Sequence, residues 1–99
     1  MTPVPDLIER VVTAVTALAA LGETIQDEWT YVHDLEAVWT ARLRAVAAAR
    51  ASAPVPNDLE PAIDRLVEEA GLITDPHRAI DWLSTVPQVA LVALGETAW

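Results

Sequence analysis

Apolar residues recur along the first half of the chain at alternating steps of three and four positions. Ten of the twelve positions in this series are apolar, and no proline interrupts residues 6–53. The twelve positions are Ile8, Val11, Val15, Leu18, Gly22, Ile25, Trp29, Val32, Glu36, Trp39, Leu43 and Val46. This spacing predicts α-helix with one continuous apolar stripe, which we call the seam.

Gly22 divides the seam and leaves two interpretations open. A single helix over residues 6–50 would be ~68 Å long at about 1.5 Å per residue, which is long for one small domain. We favour a break, with Gly22 in the left-handed conformation that ends helices and Thr24 capping the next helix. The break predicts a first helix over about 5–21, folded back as a hairpin, and a longest, central helix over about 24–51. A continuous helix would instead need a partner molecule along the seam.

Prolines and glycines divide the second half into short helices. Pro54 and Pro56 favour an extended connection after the second helix. Further on, Thr74 or Asp75 caps a helix, Pro87 opens another and Gly95 ends it. The predicted helices cover about 58–70, 75–85 and 87–94. The predicted fold class is therefore all-α, a four- to five-helix bundle in a single domain over residues 1–99.

Composition and charge exclude several classes of protein. Hydrophobic residues make up 53% of the chain and charged residues 21%, which predicts a folded domain. The chain has no cysteine, so disulfides and thiolate chemistry are excluded. Fifteen acidic residues against six basic ones give a formal charge of -9, which argues against nucleic-acid binding and against anionic membranes. No basic segment precedes an apolar run near the start, so we expect a cytoplasmic location.

No group of residues carries a catalytic signature. His33 and Glu36 lie three positions apart on the second helix, in the reverse order of the Glu-x-x-His pair of helical di-iron sites, and occur once. Two ligands do not complete a coordination sphere. Such a site would need two copies of the chain or a ligand from elsewhere. We expect the acidic residues of the third helix to form a solvated face and not a catalytic pair. We therefore predict no catalytic residue, no cofactor and no metal.

The four tryptophans are the most informative side chains. A small domain often buries tryptophan in its core, whereas interfaces use it as an anchor. The seam, the four indoles and the fifth helix, which has no polar side chain after Gln88, offer more apolar surface than 99 residues can bury. We therefore expect part of this surface to face another molecule. The predicted interface consists of Trp29, Val32, Glu36, Trp39, Leu43, Trp82 and Trp99.

The predicted function is that of a protein–protein interaction module. The chain would be a non-enzymatic module or a subunit of a homo- or hetero-oligomer, bound through the tryptophan-bearing stripe. The alternative is an acidic inhibitor or immunity-type protein, which would cover a basic site on an enzyme or a nucleic-acid-binding protein. Steep weakening of partner binding by salt would favour this alternative.

Overall fold

The protein is an all-α bundle, as the sequence predicts. The computed structural model describes residues 2–95, which contain five α-helices and a single-turn 3-10 helix at Gln26–Glu28. The helices are α1 (Val4–Gly22), α2 (Trp29–Ala49), α3 (Leu59–Leu72), α4 (Pro76–Thr85) and α5 (Pro87–Ala93). The second helix is the longest, as predicted. None of the helices in the described part of the chain has both the length and the apolar character needed to cross a bilayer.

The central helix is α1, and the prediction that α2 is central was wrong. α1 packs against α2, α3, α4 and α5 and buries ten of its 19 residues, whereas α2 buries four of 21. A helix with neighbours on several sides needs an apolar face wider than one stripe. α1 has such a face because Leu7, Val12 and Ala14 are buried in addition to its seam positions.

α1 and α2 form an antiparallel hairpin, as the favoured break at Gly22 predicts. Near the open end, the Arg44 guanidinium bonds the Glu9 carboxylate at 3.0 Å. Near the turn, Gly22 lies against Val32. Ile25 leaves helical geometry, with φ -88 and ψ 104, and so separates the two helices. The seams of α1 and α2 therefore face each other within one chain.

The chemistry of the break differs from the prediction. Gly22 is the last residue of α1 and is not left-handed; Gly95 alone has a positive φ among the described residues. A Cβ at Gly22 would lie 3.1 Å from Cγ1 of Ile80, so this glycine allows close packing. The Thr24 hydroxyl donates to the carbonyl of Leu21 at 2.7 Å and closes α1 instead of capping α2. The 3-10 turn then delays the start of α2 to Trp29, rather than residue 24.

The start of α4 and the end of α5 have the capping residues that the sequence predicts. The Asp75 side chain accepts a hydrogen bond from the backbone N–H of His77 at 3.1 Å and caps α4. Gly95, with φ 91, lies just beyond α5 in the conformation that L-residues avoid. Both ends are set by local residue chemistry, which is why the sequence predicts them.

Trp39 connects α2 to the junction between α4 and α5. In a regular helix the carbonyl of Leu83 accepts a hydrogen bond from the N–H of residue 87, but Pro87 has no N–H. The indole Nε1 of Trp39 donates to this carbonyl instead, at 2.7 Å. The indole therefore satisfies a buried acceptor that the proline leaves unpaired.

Candidate functional site

The structure corrects the predicted interface for four residues. Val32 and Leu43 are fully buried, Trp39 is 7% exposed and Trp82 is 2% exposed. All four belong to one core that includes α1. The physical reason is the hairpin, because the seam of α2 packs on α1 of the same chain. The apolar surfaces of these two helices therefore bury each other. These side chains stabilise the fold and are not available to a partner.

The other three predicted residues have different surroundings. Trp29 is 49% exposed, and its indole stacks on the imidazole of His33 with ring centres 5.1 Å apart and planes 5° from parallel. Glu36 is half-buried on the flank of α2 that meets α1. Trp99 lies outside the described residues. Among the predicted residues that the structure describes, Trp29 keeps the large exposed apolar surface.

A second apolar stripe follows the flank of α2 that faces away from α1. Tyr31, Leu35 and Val38 are spaced by four and three residues, and Arg42 follows four residues later, so all four share one side of the helix. Tyr31 and Val38 are about half exposed, and Leu35 is half-buried. We call these four residues the α2 flank. From the sequence, Tyr31 and Val38 were interpreted as widening the seam and not as a separate stripe.

The α2 flank borders a shallow hollow of about 250 Å³. It is lined by Tyr31, Asp34, Leu35, Val38, Trp39 and Arg42. Contacts with α4 hold its walls, since the Tyr31 hydroxyl and the Ser84 hydroxyl share a hydrogen bond of 3.0 Å and the Trp39 indole is bonded to Leu83. The hollow is apolar in its middle, with Asp34 and Arg42 four residues before and after Val38.

The fifth helix is buried on one side only, although the absence of polar side chains after Gln88 predicts burial on all sides. Ala90 and Leu91 are buried, but Val89 and Val92 lie half exposed on the opposite side of this short helix. Leu72, at the end of α3, is also exposed. A helix of only seven residues at the end of the chain's described part meets its neighbours on one side, which leaves the valines in solvent.

Three side chains with metal-binding atoms meet where α1 turns into α2. One ligand atom each from Glu23, His33 and Glu36 lies within 4.8 Å of the others. His33 and Glu36 were identified as a pair in the sequence. Glu23 was missed because it follows the end of α1, and only the geometry of the turn brings it to α2.

Exposed ion pairs connect α1 to α2 and to α3. Arg10 of α1 lies 3.6 Å from Glu60 and 3.3 Å from Asp64 of α3. Hydrogen bonds from Arg44 hold the pKa of the Glu9 carboxyl below its ordinary value, against a smaller opposing effect of desolvation. These exposed pairs join α1 to its neighbours, and each contributes little stability.

Comparison with known proteins gives no assignment. No family model, no curated protein and no solved structure matches this chain significantly. The α2 flank and the Glu23–His33–Glu36 cluster are therefore the features from which a function is proposed.

Proposed function

We propose that this chain is a cytoplasmic, non-enzymatic interaction module whose partner is a second copy of itself, bound through the α2 flank. The symmetry of charges about Val38 supports this most strongly. In an antiparallel pair of α2 helices with a two-fold axis at Val38, a residue four positions before Val38 faces the residue four positions after it. Asp34 of each copy would then meet Arg42 of the other, so the interface would contain two opposite-charge pairs.

The apolar residues of the flank fit the same arrangement. Val38 would pack against its own copy on the two-fold axis. Tyr31, seven positions before Val38, would face Ala45, whose small exposed side chain leaves room for the phenol ring. Large side chains opposite small ones are typical of closely packed helix pairs. In this arrangement the α2 flank, together with the neighbouring Asp34 and Ala45, would be complementary to itself in both shape and charge.

The size of the flank predicts a weak dimer. The helix from Tyr31 to Ala45 is about 21 Å long at roughly 1.5 Å per residue. One helix pair of this length buries less than the ~800 Å² per partner of a standard interface, so we expect micromolar rather than nanomolar affinity. Each chain carries a net charge of -9, and the repulsion between copies is screened by salt. Moderate salt should therefore strengthen the dimer.

Sedimentation over a range of protein concentrations tests the proposal. We expect the wild type to shift from monomer to dimer, and Val38→Glu to stay monomeric because it places two like charges on the axis. Val92→Glu is the matched control, since Val92 on α5 is 56% exposed and Val38 is 54% exposed. Asp34→Arg alone should also dissociate the dimer. Adding Arg42→Asp should restore it, because the double swap recreates both pairs.

The proposal fails if the wild type stays monomeric up to millimolar concentration, or if Val92→Glu dissociates the dimer as completely as Val38→Glu. The second candidate function, an acidic inhibitor of a basic protein, is supported by the excess of fifteen acidic over six basic residues. It predicts the opposite dependence on salt, because screening weakens attraction between oppositely charged partners. A salt series therefore separates the two candidates.

A further inference from the structure

The Glu23–His33–Glu36 cluster lies on the other flank of α2, away from the proposed dimer contact. His33 follows Tyr31 by two residues, which is a rotation of about 200° around the helix. His33 and Glu36 are one turn apart on α2, and Glu23 reaches them from the end of α1. Their ligand atoms all lie within 4.8 Å of one another. We propose that these three side chains bind one divalent transition-metal ion.

The donor set indicates which ions fit. Two carboxylates and one imidazole suit zinc and its first-row neighbours, whereas Ca²⁺ and Mg²⁺ prefer oxygen ligands alone. In a tetrahedral zinc site with bonds of about 2.1 Å, the ligand atoms are roughly 3.4 Å apart. Small side-chain rotations would close the present separations to that value. Three protein ligands leave the fourth position of the ion to water.

Stacking on Trp29 orients the imidazole. The two rings lie 5.1 Å apart and nearly parallel, so the indole restricts rotation of the His33 ring. An imidazole held in one orientation loses less conformational freedom when it binds an ion. Trp29 therefore has a defined place beside the site, as a positioning residue that also reports on His33 through its fluorescence.

The carboxylates of Glu23 and Glu36 lie close together. Within residues 2–95, the structure contains no ion pair to Glu23 or Glu36. Arg44 borders the same hollow as Glu36, but its guanidinium is bonded to Glu9 by two hydrogen bonds. Neighbouring carboxylates repel each other, and a divalent cation between them turns this repulsion into attraction.

The buried hydroxyl of Thr40 also borders this hollow. Thr40 is one turn after Glu36, and its Oγ1 is shielded from solvent and has no hydrogen-bond partner among the described residues. The hollow measures about 470 Å³ and is bordered by His33, Glu36 and Thr40. A water molecule on the ion, or the Glu36 carboxylate itself, could accept a hydrogen bond from this hydroxyl. Such outer contacts commonly orient metal ligands.

Calorimetric titration of the untagged protein with Zn²⁺ tests the site. We expect one ion per chain, and a loss of affinity of roughly tenfold or more in each of His33→Ala, Glu23→Gln and Glu36→Gln. His77→Ala and Glu68→Gln are matched controls at another histidine and another exposed acid, and should bind as the wild type does. Circular dichroism of every variant checks that it is folded.

Three further measurements distinguish binding at this cluster from binding elsewhere on the chain. Val38→Glu should bind Zn²⁺ with unchanged affinity, because the site does not depend on the proposed dimer. Zn²⁺ should raise the melting temperature of the wild type but not of His33→Ala, since the ion links the end of α1 to α2. Cu²⁺ should quench fluorescence in the wild type more than in Trp29→Phe.

The proposal is overturned if Zn²⁺ binding is not saturable, or if His33→Ala and His77→Ala bind equally well. Equal affinity for Ca²⁺ and Zn²⁺ would also contradict it, because the imidazole would then have no part in binding.

Discussion

The two indoles that are buried within residues 2–95 offer a direct test of how this core is held together. Trp39 and Trp82 are both buried, but the Trp39 Nε1 donates to the Leu83 carbonyl, whereas the Trp82 Nε1 has no acceptor within the described residues. Trp39→Phe removes the donor, and Pro87 cannot replace it because proline has no N–H. The substitution therefore leaves a buried carbonyl unpaired.

The expected magnitudes follow from this difference. A buried acceptor without a partner costs about 1–3 kcal/mol. The smaller phenyl ring also loses roughly 40 Å² of apolar contact, which is worth about 1 kcal/mol at ~25 cal/mol per Å². We expect Trp39→Phe to reduce the free energy of unfolding by about 2–4 kcal/mol. Trp82→Phe loses similar area but removes an unpaired donor, so its cost should be about 1 kcal/mol or less.

Urea unfolding followed by circular dichroism at 222 nm measures both variants in the same way. Fluorescence is less suitable, because each substitution removes one of the reporting indoles. The midpoints should shift with unchanged slope, since neither variant alters the surface exposed on unfolding by much. If Trp82→Phe destabilises the protein as much as Trp39→Phe, the hydrogen bond to Leu83 does not have the stabilising role assigned to it.

Three other predictions concern single contacts. Gly71→Ala should stabilise the protein by about 0.5–1 kcal/mol, because the added Cβ enters open space on a helix. Gly22→Ala should give no gain, because the added Cβ meets Ile80. Urea unfolding compares the two variants. Asp75→Ala should lower the free energy of unfolding by about 1 kcal/mol, measured in the same assay, through loss of the α4 cap. Arg44→Gln should raise the pKa of the Glu9 carboxyl toward its ordinary value, as measured by carboxyl NMR titration. Because folding lowers the pKa of Glu9, the Arg44–Glu9 pair stabilises the protein at pH values above the unfolded-state pKa of this carboxyl. This stabilisation is lost as the pH falls through the folded-state pKa. The wild type and Arg44→Gln should therefore converge in stability in acid.

Local residue chemistry explains why most of the fold could be predicted. Proline and aspartate at the start of α4, and glycine after α5, act within one helical turn, so their effect is visible in the sequence. The break after Gly22 was also predicted, although its mechanism was not. The close approach of Gly22 to Ile80 depends on α4, which lies far from Gly22 along the chain.

The candidate sites were harder to predict because they depend on which neighbour covers each helix face. Periodicity shows that Val32 and Leu43 face something apolar, but not whether that surface belongs to the same chain. The hairpin supplies α1 as the neighbour, so the residues left for a partner lie on a different flank, around Val38. Glu23 joins His33 only through the geometry of the turn.

Cross-linking through Val38 tests the proposed two-fold axis most directly. The chain has no cysteine, so Val38→Cys introduces a single thiol. Two thiols on the axis lie close enough to form a disulfide, which requires Cα atoms about 4.4–6.8 Å apart. We predict that mild oxidation converts Val38→Cys to a covalent dimer rapidly, while Val92→Cys, at a similarly exposed position, reacts slowly. Equal and slow cross-linking of both variants would contradict pairing of the chain through α2.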